Sequence, residues 1–176
     1  MATSILVSEF QTPLGQLILG SYGDLLCLCD WRYRKMRSSI DHRIMHKLSV
    51  GYVDKKSAVV EHARKELLEY FDGERTEFTV PLLMIGTDFQ KKVWKALEEI
   101  PFGKTITYLD LSKRLGDPRA IRAVASANGA NALSLLVPCH RVIGQDGSML
   151  GYAGGVTAKS RLLDLEGAHS QSRLSL

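Results

Sequence analysis

The chain has 176 residues, of which 45% are apolar and 24% charged, and a formal net charge of +4 at pH 7. That balance supports one large or two small globular domains and excludes a wholly disordered, collagen-like or coiled-coil protein. No apolar run reaches the roughly 20 residues of a membrane-spanning helix, and the N-terminus lacks the features of a signal peptide, so a cytosolic protein, or a nuclear one in a eukaryote, is expected.

Residues 5–10 alternate as a strand, and Thr12-Pro13-Leu14-Gly15 reads as a turn. Residues 16–20 form a second strand candidate, and residues 21–24 turn the chain again with Gly23 as the permissive position. Residues 25–31 form a third, and the short connections predict a hairpin or meander. Cys27 and Cys29 fall in this third strand. Their spacing suits neither a mutual disulfide nor a common zinc motif, so both are expected to be ordinary strand or core residues.

Residues 32–55 carry weaker signals. His42 and His46 can share a helix face, but no third ligand lies at useful spacing and no metal site is expected. Val60, Ala63, Leu67 and Phe71, widened by Leu68, predict a helix over residues 57–71, stopped by Asp72-Gly73. Residues 78–83 look extended, with Pro81 weighing against a central strand. A domain boundary is expected here, giving domains 1–84 and 85–176. The first holds 11 basic and 11 acidic side chains and the second 12 and 8, which directs the search for a polyanion footprint to the second.

Thr87 and Gln90 are spaced as a capping box for a helix whose apolar face is Phe89, Val93, Trp94, Leu97 and Ile100. Pro101-Phe102-Gly103 ends it. Residues 108–115 read as a short helix, Gly116-Asp117 as a turn, and Pro118 as the first turn of a helix reaching about Ala127. With Lys113, Arg114, Arg119 and Arg122 nearby, this pair resembles a helix-turn-helix. The second helix holds Ala120, Ala123, Ala125, Ser126 and Ala127, and offers few side chains to base edges. That composition fits shape-based binding, and fits a tightly packed interior helix equally well.

An apolar run over residues 133–137 leads into Pro138-Cys139-His140-Arg141-Val142. Positive neighbours favour a thiolate, so Cys139 is a candidate nucleophile. The same dipeptide alone is also compatible with a buried thiol and a satisfied histidine.

Several motifs occur in one order. Arg122-Ala123-Val124 stands 17 residues before Cys139 with Asn131 between them; Gly151-Tyr152-Ala153-Gly154-Gly155 and Leu162-Leu163-Asp164-Leu165-Glu166-Gly167 follow. This set resembles the O6-alkylguanine-DNA alkyltransferase family, the methylated-DNA–protein-cysteine methyltransferases, in detail over about residues 87–168 and more loosely before them. The resemblance implies an α+β protein with an N-terminal ribonuclease-H-like strand-and-helix domain and a mostly helical C-terminal domain containing a helix-turn-helix. It implies irreversible, single-turnover transfer of an alkyl group from O6-alkylguanine, and by extension O4-alkylthymine, in DNA to the protein's own cysteine, without cofactor or metal. The implied partner is double-stranded DNA bound through its minor groove by a monomer, with no obligate protein partner and no membrane.

The resemblance also implies roles for individual residues. Cys139 is the nucleophile, His140 deprotonates it through a water, and Glu166 orients His140. Tyr108 donates a proton toward guanine N3, the Ala153 backbone N–H lies near O6, and the carbonyls of Cys139 and Val142 receive the exocyclic amine. Tyr152 forms pocket wall. Because the target atom is stacked inside the duplex, the base must be flipped, with Arg122 filling its place and Ala123 and Ala127 permitting close approach to the groove. Asn131 holds the turn before the active-site segment, and Arg141 orders its surroundings. Ala132 and Ser134 stand where relatives often carry proline, which bears on pocket shape. Competing readings are an inactive binder of alkylated DNA, a thiol hydrolase and a transcription regulator. Cys139, the lack of a separate oxyanion motif and the alanine-rich helix argue against them in turn.

Overall fold

The computed structural model describes residues 1–149 and 151–168, and two compact units divide between Gly86 and Thr87. The first contains β1 (Ile5–Thr12), β2 (Gly15–Tyr22), β3 (Leu25–Trp31), α1 (Arg37–Leu48), β4 (Tyr52–Asp54) and α2 (Ala58–Phe71). Its sheet has the order β3-β2-β1-β4, antiparallel among the first three strands, with β4 parallel to β1.

The β1–β2 turn is locked by Thr12, whose hydroxyl donates to the Gly15 carbonyl at 2.7 Å and accepts the Leu14 N–H at 3.0 Å. A bulge follows in the β2–β3 ladder. Gly20 pairs with Leu28 and Ser21 with Leu26, leaving Cys27 as the extra residue. A Cβ on Gly20 would stand 3.1 Å from that of Leu28, a tight approach that a larger residue would meet only by pushing its neighbours aside. Both strand cysteines are buried, and burial pushes the Cys27 thiol up to about 12.

Helix α1 and strand β4 were not evident in the sequence. Only Ile40 and Ile44 of α1 are buried, and Met36 supplies no side-chain cap. A polar network compensates. Fully buried Asp30 accepts from Arg34 at 3.2 Å and Arg37 at 2.8 Å, and Arg37 and Tyr52 both donate to Asp41. Buried charges persist because each is hydrogen-bonded to an opposite one.

In α2, Ser57 caps by accepting the Val60 N–H at 3.1 Å. Its inward face is Val60, Ala63, Glu66, Leu67 and Tyr70; Leu68 is exposed, so it does not widen the stripe as expected. Glu66 is buried because it accepts the N–H groups of Thr79 and Val80. Pro81 lies beside β3 and contributes only its carbonyl, to Leu26 N–H at 2.8 Å.

The second unit contains α3 (Asp88–Glu98), β5 (Ile106–Thr107), α4 (Tyr108–Arg114), α5 (Ile121–Gly129), a 3-10 turn (Cys139–Arg141), β6 (Val142–Ile143) and α6 (Val156–Leu165). The Thr87–Gln90 capping box forms in both directions, at 3.1 and 2.9 Å. The buried stripe of α3 begins at Val93; Phe89 is exposed, contrary to its expected place on that face. A second capping box, Thr107 with Asp110, starts α4. Pro118 does not open α5. It lies in a turn closed by Ala120 N–H to the Asp117 carbonyl, with the Asp117 carboxylate accepting Arg119 N–H, and the helix begins only at Ile121. Parallel pairing of Ile106 with Val142 and Thr107 with Ile143 brings the start of α4, and so Tyr108, beside the segment that follows Cys139.

Candidate active site

Cys139 opens the 3-10 turn after a tightly held bend. The Asn131 side chain donates to the Val137 carbonyl and accepts the Leu133 N–H, both at 2.9 Å, so one amide clamps both sides of the bend. Leu135 within it has φ of 74°, a left-handed conformation that costs a non-glycine residue energy and persists only where surroundings hold it. The Cys139 N–H donates back to the Val137 carbonyl at 2.8 Å.

Cys139, His140 and Glu166 are all buried. His140 Nε2 lies 2.7 Å from Glu166 Oε1. Arg141 donates to both oxygens of Glu166, at 2.9 and 3.0 Å, and to the Ile100 carbonyl at 2.6 Å. Burial alone raises the Glu166 carboxyl, but the hydrogen bond from His140 and the hydrogen bonds and charge of the Arg141 guanidinium outweigh it and hold the group at about 2. Burial lowers His140 below its ordinary value despite the opposing pull of Glu166. The imidazole is therefore neutral. An ionised carboxylate only accepts, so the ring proton sits on Nε2 and the lone pair on Nδ1, which has no protein hydrogen-bond partner among the described residues. A histidine in that tautomer is ready to take a proton.

Tyr152 is buried with its ring edge-on to His140, centroids 6.3 Å apart. Tyr108 is half-buried. Burial raises its phenol first and the charge of Cys139 adds to that, while a hydrogen bond from Asn128 opposes both. The Lys159 ammonium lies 5.9 Å from the Tyr108 ring centroid and donates to the Val142 carbonyl at 2.5 Å. Lys159 is fully buried, and desolvation lowers it to about 8 against the pull of Cys139.

Sequence reasoning missed Lys159 and Asn128. The signal for Lys159 was its spacing from Leu162 and Leu163, which sets a lysine on the apolar face of α6. Asn128 similarly shares the buried face of α5 with Val124 and Ala127.

Other expected residues divide by exposure. Arg122 and Ala123 are exposed on the first turn of α5. Ala127 is buried, and its carbonyl accepts the Trp94 indole N–H at 2.8 Å. Ser134 has no exposed surface and belongs to the bend before Cys139. Val142 is also fully buried, with one lone pair of its carbonyl taken by Lys159. Ala153 is half-buried.

Residues 88–168 match the family described as 6-O-methylguanine DNA methyltransferase, DNA binding domain. The chain is 50% identical over 166 residues to the methylated-DNA–protein-cysteine methyltransferase of Mycobacterium bovis, covering 94% of each chain. It is 41% identical over 158 residues to the constitutive enzyme of that name from Bacillus subtilis, covering 89% of this chain and 92% of the other. The crystal structure of Mycobacterium tuberculosis OGT in complex with DNA matches with a TM-score of 0.78 and 39% identity over 91% of each chain. On the cysteine site and these likenesses together, the chain belongs to the O6-alkylguanine-DNA alkyltransferase family.

Proposed function

We propose that the chain repairs DNA by moving the alkyl group of O6-alkylguanine onto Cys139 in one irreversible turnover. The observation that carries this is the Cys139 turn, where the neighbouring His140 is a neutral base held by an ionised Glu166 at 2.7 Å. The thiol proton passes through a water to His140 Nδ1, and Glu166 stabilises the imidazolium. The sulfur attacks the alkyl carbon, the carbon–O6 bond breaks, and its electron pair goes to the purine. Tyr108 then gives its phenolic proton to N3. The Ala153 N–H and the carbonyls of Cys139 and Val142 select guanine, with Tyr152 as a pocket wall. Arg141 keeps Glu166 ionised, and Asn131 keeps the Cys139 bend in place.

DNA is engaged by α4 and α5 as a helix-turn-helix in the minor groove. The small exposed Ala123 allows a close approach, and exposed Arg122 fills the stack left by the flipped nucleotide. The protein works as a cytosolic monomer. The β3-β2-β1-β4 order, with β4 alone parallel, supports a ribonuclease-H-like outline for the first unit.

Intact mass after incubation with O6-methylguanine DNA tests the reading. One methyl group per chain, mapped to Cys139, with repair stopping at stoichiometry, is expected. Repeated turnover, or unchanged Cys139 on a protein that binds the DNA, would favour a hydrolase or an inactive binder.

A further inference from the structure

We infer that the Pro101-Phe102-Gly103 turn after α3 is a positioning element for Glu166, with Gly103 as its main positioning residue. Lacking a side chain, Gly103 lets the end of α6 approach to where the Glu166 carboxylate meets His140. This rests on the reading of His140 and Glu166 as the pair that activates Cys139.

Glu166 is the residue that closes α6, so its carboxylate goes where the helix end goes. Its N–H is bonded to the Leu162 carbonyl and that of Gly167 to the Asp164 carbonyl, both at 3.0 Å. Against this helix end lies Gly103, buried and with φ of 78°. A Cβ on Gly103 would stand 2.9 Å from the Glu166 backbone carbonyl oxygen. That oxygen belongs to a hydrogen-bonded main chain and cannot swing aside as a side-chain tip would. The Gly103 N–H also donates to Glu166 Oε2 at 3.5 Å. This bond is long, so the backbone contact carries most of the constraint.

The same turn reaches Glu166 a second way, through Arg141. The Ile100 carbonyl accepts from Arg141 Nη1 at 2.6 Å, and the Phe102 ring centroid lies 5.8 Å from the guanidinium carbon. Arg141 Nε and Nη2 donate to the two Glu166 oxygens. Oε1 thus meets His140 and Arg141, while Oε2 meets Arg141 and Gly103, and the carboxylate cannot rotate without breaking bonds. His140 keeps its proton on Nε2 and its lone pair on Nδ1 only while Oε1 stays in reach. A turn that served only to stop α3 would accept asparagine, which tolerates a left-handed backbone. The contact with Glu166 leaves no room for a Cβ of any kind.

The test is single-turnover transfer from free O6-methylguanine base at stepped pH, which keeps DNA binding out of the measurement. Gly103→Ala should be slower at pH 7 by roughly tenfold to a hundredfold, the scale of a weakened general base. The gap should narrow as pH rises toward about 9, where a thiol loses its proton to solvent unaided. Arg141 and Lys159, the other charged groups at the site, are common to both proteins and cancel in the ratio. Gly103→Asn should be slowed in the same way, since asparagine relieves the backbone strain and leaves only the contact. In a Glu166→Gln background, Gly103→Ala should add little. If neither Gly103 variant folds, Phe102→Leu, which withdraws the ring from Arg141, should give a smaller loss of the same pH shape. A loss equal at every pH, full additivity with Glu166→Gln, or a wild-type rate for Gly103→Asn would overturn the inference. If Glu166→Gln itself shows no loss that narrows with rising pH, the reading of the activating pair fails, and the inference with it.

Discussion

His140 Nε2 lies 2.7 Å from Glu166 Oε1, and neither side chain has solvent-exposed surface. Glu166 is held at about 2, below the 4.5 of a free carboxyl. A lowered carboxylate contributes stability that is complete above its unfolded value and lost as pH falls through its folded one. Removing one member of a buried pair typically costs about 3–5 kcal/mol. Glu166→Gln should therefore be less stable than wild type at pH 7, and the gap should close between about pH 4.5 and 2. Denaturant unfolding at stepped pH measures this, and a gap independent of pH would count against an ionised Glu166. In transfer kinetics, His140→Ala and Glu166→Gln should be strongly non-additive.

The three thiols should separate by chemistry. None is in a disulfide and all are buried. Cys139→Ala should abolish transfer while DNA affinity persists. Cys27→Ser and Cys29→Ser should each accept one methyl group per folded chain, since the Cys27 thiol at about 12 stays protonated. Intact mass with peptide mapping decides, and a methyl group on either strand cysteine would reject the assignment.

Lys159 predicts a dependence at alkaline pH. Its folded value of about 8 lies below the ordinary 10.5. Below pH 8 the ammonium is charged in both folded and unfolded states, and its desolvation penalty is full. As pH rises from about 8 to 10.5 the folded state holds fewer protons, so the penalty fades. Wild type should gain roughly 3 kcal/mol relative to Lys159→Met across that window. The variant should also transfer more slowly at pH 7, because a buried cation favours the thiolate. Parallel pH curves for the two proteins would refute the lysine assignment.

Arg122 is exposed on the first turn of α5, whereas the Cys139 turn is buried. Arg122→Ala should slow repair of duplex DNA and leave the reaction with free O6-methylguanine base close to normal, because a free base needs no flipping. Rates on the two substrates are the measurement. Equal proportional losses would place the damage in the chemical site.

The sequence alone determined whatever is settled within a few residues. Thr87 announced a helix start because its side chain satisfies the orphan backbone N–H three positions on, whereas the helix after Ser57 was legible from its apolar spacing. The three N-terminal strands were legible from alternation and turn chemistry, and the Cys139 site from motifs in fixed order. Helix α1 was not legible, since its two buried isoleucines give a weak stripe and Asp30 and Tyr52 help hold it from other strands. Strands β4, β5 and β6 have three or two residues each, too few to show periodicity. Tertiary structure alone turned Ala127 and Ser134 inward and put Lys159 and Asn128 beside Tyr108. The protonation of His140 and Glu166 was likewise decided only there. Desolvation and charge pairing set it, and both arise once distant segments have closed around the pair and excluded water.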